Sequence, residues 1–380
     1  MSSPQRLFPW IAALLAAGLV LASALLPGRA PAPSALPEPA PNPLYAGYDF
    51  GPPGSPAVNC AIQPLWVPTS TITELIRRDA ILAGKFADLG LDLRFFPFLK
   101  GADINAYLFA DRLDAMVAGD MPVMAAAAQK DVVVAALVNQ GFISILARRR
   151  LQLAELRGKS LGCAYGSSAH FALLRALAGA GVAAREVTLD FMDLAAMPQA
   201  LRSGRIDAFS SWEPGTTAIR NANPDFTVIH RVAYSGYLSF AGAFARTRPE
   251  AAKALIAAQL RAMAWMKARR ENLLTACGLA LKAAKDFTGN GLGISADEYA
   301  DLVKSEFLDF VPVPIIPESA LAPDGHLRQA FDFLAGHGLL PAGSDWNTTA
   351  SRFDRGLIGE VLGNPESYRL GEFDYRLEPQ

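Results

Sequence analysis

Ser160-Leu161-Gly162-Cys163-Ala164-Tyr165-Gly166-Ser167-Ser168-Ala169-His170 reads as a strand running through a Gly-Ser-Ser turn into a helix. Further along, Ile206-Asp207-Ala208-Phe209-Ser210-Ser211-Trp212-Glu213-Pro214 reads as a strand that delivers a Trp, a Glu and a helix-breaking Pro at its end. Between them, residues 186–191 have strand character and residues 195–203 helix character. Residues 158–214 therefore spell a β-α-β-α-β unit, the building block of a wound α/β sheet. The first turn of a helix opening at Gly166-Ser167-Ser168 presents unpaired N–H groups and two hydroxyls, which suits an anion. The plain alternative is an ordinary cap in which a serine satisfies its own helix end. Neither a G-x-S-x-G elbow nor a Gly-Lys-Ser/Thr phosphate loop is present in this stretch.

Outward from this unit the alternation continues. Residues 58–65, 91–96, 113–117, 132–138 and 142–147 read as strands, and residues 103–110 and 122–129 as helices. Thr71-x-x-Glu74 looks like a capping box opening a helix over residues 71–89. Residues 226–233 read as another strand, after which residues 238–246 lead back toward the first part. Beyond Pro249, placed as a first helical residue, come helices over 249–269, 273–288, 295–307 and 327–336, with Ser295-x-x-Glu298 as a second capping box. Ligands of open α/β sheets bind beyond the carboxyl ends of the strands. Four polar turns lie there: Thr69-Ser70-Thr71, Gly119-Asp120 before Pro122, Gly166-Ser167-Ser168 and Trp212-Glu213-Pro214.

At 380 residues the chain exceeds one ordinary hydrophobic core, so two lobes are expected. Lys and Arg number 35 against 36 Asp and Glu, a net charge of −1, which argues against nucleic acid as a partner. Arg148-Arg149-Arg150, the one basic run, reads as a solvated strand end. Three cysteines, Cys60, Cys163 and Cys277, read as buried small hydrophobes without a disulfide. The four histidines lack metal-site spacing, so neither metal nor cofactor is expected.

The N-terminus bears on compartment. Arg6 precedes an apolar run over residues 7–26 that contains Ala22-Ser23-Ala24, a small-x-small site, so residues 1–26 read as a signal peptide or a retained membrane anchor. Residues 27–56, rich in proline, read as an extended spacer.

Taken in order, Gly119-Asp120-x-Pro122, Leu153-x-x-Leu156-x-Gly158-Lys159, Gly166-Ser167-Ser168-Ala169-His170, Gly204-x-x-Asp207-Ala208 and Trp212-Glu213-Pro214 resemble the nitrate/sulfonate/taurine-type solute-binding proteins of ABC importers. The resemblance covers roughly residues 58–338. It implies an α/β, two-lobed periplasmic binding protein-like (type II) fold with the ligand cleft between lobes and a helical C-terminal part. Lobe I would comprise residues 57–149 plus 237–345 and lobe II residues 150–236, joined by a two-strand hinge, with 346–380 a polar tail. A small, acidic solute (sulfonate, nitrate or carboxylate), an ABC permease and an ATPase follow as partners, with the chain exported to the periplasm or cell envelope and acting as a monomer. By the same resemblance Gly166, Ser167, Ser168 and His170 contact the acidic head group, and Gly119, Asp120 and Trp212 line the cleft. Glu213 is expected to hold its turn unless the solute carries an amine, because a carboxylate repels an anion. Ser70 and Thr71 complete the polar turns. Ile62-Gln63-Pro64-Leu65-Trp66-Val67-Pro68 departs from the family's usual first strand, and Trp66 either stacks on a solute or packs in its lobe. Thiamine-pyrimidine synthases resemble the same family, but their cysteine-rich motif is missing here, and no catalytic set assembles. A membrane-tethered sensor is the remaining alternative, suited by residues 7–26 and the spacer.

Overall fold

In the computed structural model, residues 42–52, 54–305 and 314–377 are described; the expected leader, and the spacer as far as residue 41, lie outside them. Eight strands form a mixed sheet: β1 (Ala57–Ile62), β2 (Asp92–Pro97), β3 (Ala115–Gly119), β4 (Val132–Ala147), β5 (Ser160–Cys163), β6 (Thr188–Phe191), β7 (Ala208–Trp212) and β8 (Thr227–Ala241). Their order is β2-β1-β3-β8-β4-β7-β5-β6. Strand β1 is parallel to β2 and β3, and β5 is parallel to β6 and β7. Strands β4 and β8 are antiparallel to each other and to the flanking β7 and β3.

Two parallel triplets are thus joined by two long strands that serve both. Val132 to Leu137 pairs with Tyr237 to Ala241 beside the first triplet, and Ile143 to Ala147 pairs with Thr227 to Val232 beside the second. A register shift between Leu137 and Asn139 separates the two stretches. The reading expected breaks near Asn139-Gln140-Gly141 and near Tyr234-Ser235-Gly236, yet these residues pair with one another and carry both strands through. Gly236 makes this possible: a Cβ there would meet Asn139 Oδ1 at 2.1 Å. Residues 238–246, expected to lead back to the first part, do so as the end of β8 followed by a helix from Gly242.

The helices are α1 (Thr69–Arg78), α2 (Ala80–Asp88), α3 (Gly101–Phe109), α4 (Asp120–Gln129), α5 (Ser168–Gly179), α6 (Met197–Ser203), α7 (Gly215–Ala222), α8 (Gly242–Thr247), α9 (Pro249–Ala268), α10 (Arg270–Thr288), α11 (Ala296–Val303), α12 (His326–Gly336), α13 (Trp346–Ala350) and α14 (Gly356–Gly363). Strand β1, inside the first triplet, is covered on both faces, and all six of its residues are buried. A large apolar core fills the first triplet and its helices, and two smaller cores pack around the second. All three cysteines are free and buried.

Local chemistry explains where elements start. Ser295 Oγ accepts the N–H of Glu298 at 3.2 Å and the Glu298 carboxylate accepts that of Ser295 at 2.8 Å, so the capping box opens α11 as its spacing predicts. Thr71-x-x-Glu74 does not cap. Thr71 lies inside α1 with Oγ1 donating to Pro68 O at 2.6 Å, and the Glu74 carboxylate is taken by Arg77 and Arg78. The expected helix 71–89 is broken at Asp79, whose Oδ1 accepts the N–H groups of Ile81 and Leu82 and starts α2.

Two expectations about the chain ends differ. Residues 42–52 and 54–56 pack onto the first triplet instead of spacing it from anything: the Tyr45 hydroxyl donates to Asp103 at 2.7 Å, and Tyr48 and Phe50 stack against Phe96, Phe98 and Tyr107. Aromatic side chains among the prolines bring enough apolar area to dock. The 346–380 tail holds α13 and α14, with Ile358 and Val361 fully buried, and Arg352 O and Asp354 N pair with Val134. Helix α7, which follows Pro214, was not foreseen.

Candidate functional site

The carboxyl ends of β1, β3, β5 and β7 meet along a seam between the two triplets. Trp66, beyond β1, lays its ring against Trp212 at the end of β7, centroids 4.6 Å apart and 64° inclined. The Val67 N–H reaches Glu213 O at 3.4 Å, and the Tyr234 hydroxyl reaches Val67 O at 3.3 Å. Each of these turns contains a cis X-Pro bond, Val67-Pro68 and Glu213-Pro214.

The Gly166–His170 turn is built as sequence suggests. Gly166 has φ +64°, which glycine adopts without strain. Ser167 is the N-cap of α5; its Oγ accepts the His170 N–H at 3.2 Å and donates to Ala164 O at 2.7 Å, so it serves its own turn. Ser168 faces across the seam and donates to Asp120 Oδ1 at 2.5 Å. Gly119 permits that approach, since a Cβ on it would stand 3.0 Å from Ser168 Oγ.

Asp120 begins α4 and is only 3% exposed. Its Oδ1 also accepts the Met121 N–H at 2.8 Å, and the Ser235 backbone adds another donor. Burial pushes its carboxyl up, while these donors and neighbouring His326 pull it down. His326 in turn meets the Tyr237 hydroxyl at 3.0 Å, and burial lowers its imidazole. Ser235, Tyr237 and His326 were missed by sequence reasoning. The polar break Tyr234-Ser235-Gly236 was the visible signal for Ser235 and adjoins Tyr237; His326 carried none.

His170 does not present a cation to the seam. It is 1% exposed, its Nδ1 accepts the Gly166 N–H at 3.3 Å, and its ring lies among Tyr165, Phe191 and Phe333. Desolvation, with His337 nearby, lowers it to about 4, so it is neutral at pH 7, and its Nε2 has no hydrogen-bond partner. Glu213, 1% exposed, accepts the Thr217 N–H at 3.0 Å in the first turn of α7 and so holds its own turn. Burial raises its carboxyl against the pull of Thr217, Arg231 and Arg220. Ser70 and Thr71 are fully buried in the first turn of α1, just after Trp66-Val67-Pro68, with the Ser70 hydroxyl bonded to Tyr299 and the Thr71 hydroxyl to Pro68. Of the expected residues, the structure brings Ser168 to Gly119 and Asp120, and sets Trp212 and Glu213 against Trp66 and Val67, with Gly166, Ser167 and His170 in the turn that carries Ser168. Among the described residues no cluster of three or more His, Cys, Asp or Glu side chains is arranged to hold a metal ion.

Solved structures share this architecture. The periplasmic aliphatic sulphonate binding protein SsuA from Escherichia coli aligns with a TM-score of 0.62 at 19% identity, over 78% of this chain and 92% of that one. The alkanesulfonate-binding protein SsuA from Xanthomonas axonopodis pv. citri, bound to MOPS, aligns at 0.60 and 18% identity, over 79% and 99%. The desulfurization enzyme DSZB aligns at 0.57 and 14% identity, over 81% and 99%. At such identities the likeness establishes the periplasmic binding protein fold, a fold that also hosts an enzyme. No curated protein matches the sequence. The profile described as NMT1/THI5 like matches residues 80–272, just over half of the chain and including both long strands with most of each triplet, and on that span the chain belongs to the NMT1/THI5-like family.

Proposed function

We propose that this chain is the extracytoplasmic solute-binding component of an ABC importer, closing on a small molecule and presenting it to a membrane permease served by an ATPase. In this reading the sheet halves are the lobes, residues 57–149 with 237–345 and residues 150–236, and residues 1–26 direct export. The observation that carries it is the seam: polar turns from both halves converge at strand ends, and β4 with β8 are the only strands shared by both triplets among the described residues. Such a pair lets two rigid bodies swing while their cores stay intact.

Binding without chemistry fits the employment of each reactive group. The Ser167 hydroxyl is committed to its turn, the Ser168 hydroxyl bonds a carboxylate, and the neutral imidazole of His170 lies behind them. The acidic solute class keeps one observation in its favour, the α5 N-terminus at the seam, where the dipole and free N–H groups attract an anion.

The experiment is native mass spectrometry of the exported protein together with a thermal-shift screen of small molecules. A bound solute at 100 times its Kd adds about 2.7 kcal/mol of stability. A retained small molecule, or a clear rise in Tm with one member of the screen, is expected. A chain that retains nothing and shifts with nothing overturns solute capture.

A further inference from the structure

The place at the α5 N-terminus where an acidic head group was expected is filled by the chain's own carboxylate, Asp120. Its partners divide unequally. Met121 N belongs to α4 in the first half and stays with Asp120 when the halves part, and Ser235 lies where β8 crosses between them, next to Gly236, which pairs with Gly119. Ser168 comes from α5 in the second half, and its departure frees an acceptor position on Oδ1. What the opened seam offers there is an acceptor, suited to a donor.

The charges around the seam agree. Asp120 and Glu213 are both buried acids. Among the described residues, the buried basic side chains Lys253 and Arg261 lie in α9, paired with Glu250 and Glu360 and with Asp79. Lys100, at 3.7 Å from Asp193, crosses the seam only in an exposed pair. An incoming acid would meet a buried carboxyl in a place short of water, with no buried lysine or arginine beside it to offset it.

Resting on the solute-binding reading, we propose that Asp120 sets the charge of the solute: it excludes acids from the α5 N-terminus and takes, in place of Ser168, an N–H or O–H donor of an amine-bearing or neutral molecule. Trp66 and Trp212, in contact across the seam, offer ring faces to a cationic or apolar portion.

The test is calorimetric titration of the wild-type chain, Asp120→Asn, Asp120→Ser and Ser168→Ala with ethanesulfonate, nitrate and acetate. Asp120→Asn keeps an acceptor for Ser168 and removes the charge, and Asp120→Ser supplies a second neutral side chain should the first misfold. Expected is a gain of at least about tenfold in affinity for one or more of the acids in the neutral variants, with no gain in Ser168→Ala, which keeps the charge. Wild type binding an acid as tightly as Asp120→Asn, or no gain in either neutral variant, overturns the assignment. Tight acid binding by wild type leaves solute capture standing; only the absence of any bound small molecule removes that.

Discussion

Replacing Ser168 by alanine removes one hydrogen bond whose two ends belong to different halves of the molecule. The hydroxyl donates at 2.5 Å to a carboxylate that is 3% exposed. Hydrogen bonds to charged groups contribute about 1.5–3 kcal/mol net, and the loss is largest where water cannot replace the missing donor. Asp120 keeps Met121 N, the donor of its own helix, in either arrangement, so the loss falls on the closed form alone. At about 1.4 kcal/mol per decade, the ratio of closed to open molecules should fall by roughly 10- to 150-fold. Small-angle X-ray scattering of the solute-free protein should then give a larger radius of gyration for Ser168→Ala than for wild type. Tryptophan emission should shift to the red as Trp66 and Trp212 lose contact. Circular dichroism should stay unchanged, because the hydroxyl has no partner within its own half. Identical scattering and emission for the two proteins would refute the argument, and the Ser168–Asp120 bond would then hold nothing across the seam.

Two further outcomes follow from buried charge. His170, lowered from 6.5 to about 4, is neutral in the folded protein over a range where the unfolded chain takes up a proton. Stability should therefore be lost as pH falls from 6.5 toward 4, by about 3 kcal/mol at most; denaturant midpoints should fall less for His170→Gln, and equal slopes would contradict the burial argument. Arg261 reaches Asp79 at 2.7 Å with side chains 3% and 1% exposed, and Asp79 also starts α2. Arg261→Met strands that carboxylate and should cost about 3–5 kcal/mol by urea unfolding, with part recovered in Arg261→Met/Asp79→Asn; a loss under about 1 kcal/mol in the single variant would count against it.

The fold was legible where local and global signals coincide. Periodicity and turn chemistry placed β5, β6 and β7 near their positions, and Ser295 with Glu298 opened α11 as spaced. It failed where tertiary partners decide. Thr71 and Glu74 carry the letters of a capping box, yet Arg77 and Arg78 one turn later take the glutamate, and Asp79 is pulled from the helix by Arg261, nearly two hundred residues on. Strands β4 and β8 looked broken because polar and glycine residues interrupt them, and only their mutual pairing carries both through. Tyr45 looked like part of a proline-rich spacer and Ile358 like part of a polar tail, because docking onto a remote surface leaves no period in a short stretch.

The site was half legible for a related reason. A turn's backbone geometry is local, so Gly166, Ser167 and the start of α5 could be read from neighbouring letters. What occupies that turn is not local: Asp120 is 48 residues from Ser168, and sequence sets no sign on their meeting. An acid beside a helix start reads equally well as a cleft wall or as a cap for the facing helix. Two structural facts separate these readings: Asp120 is anchored at the start of α4 by Met121 N, and Ser168 meets it from α5 in the other half. A carboxylate in that position moves with one lobe and competes with any acid for the other, so solute charge is set by a residue whose letter was visible and whose role required the fold.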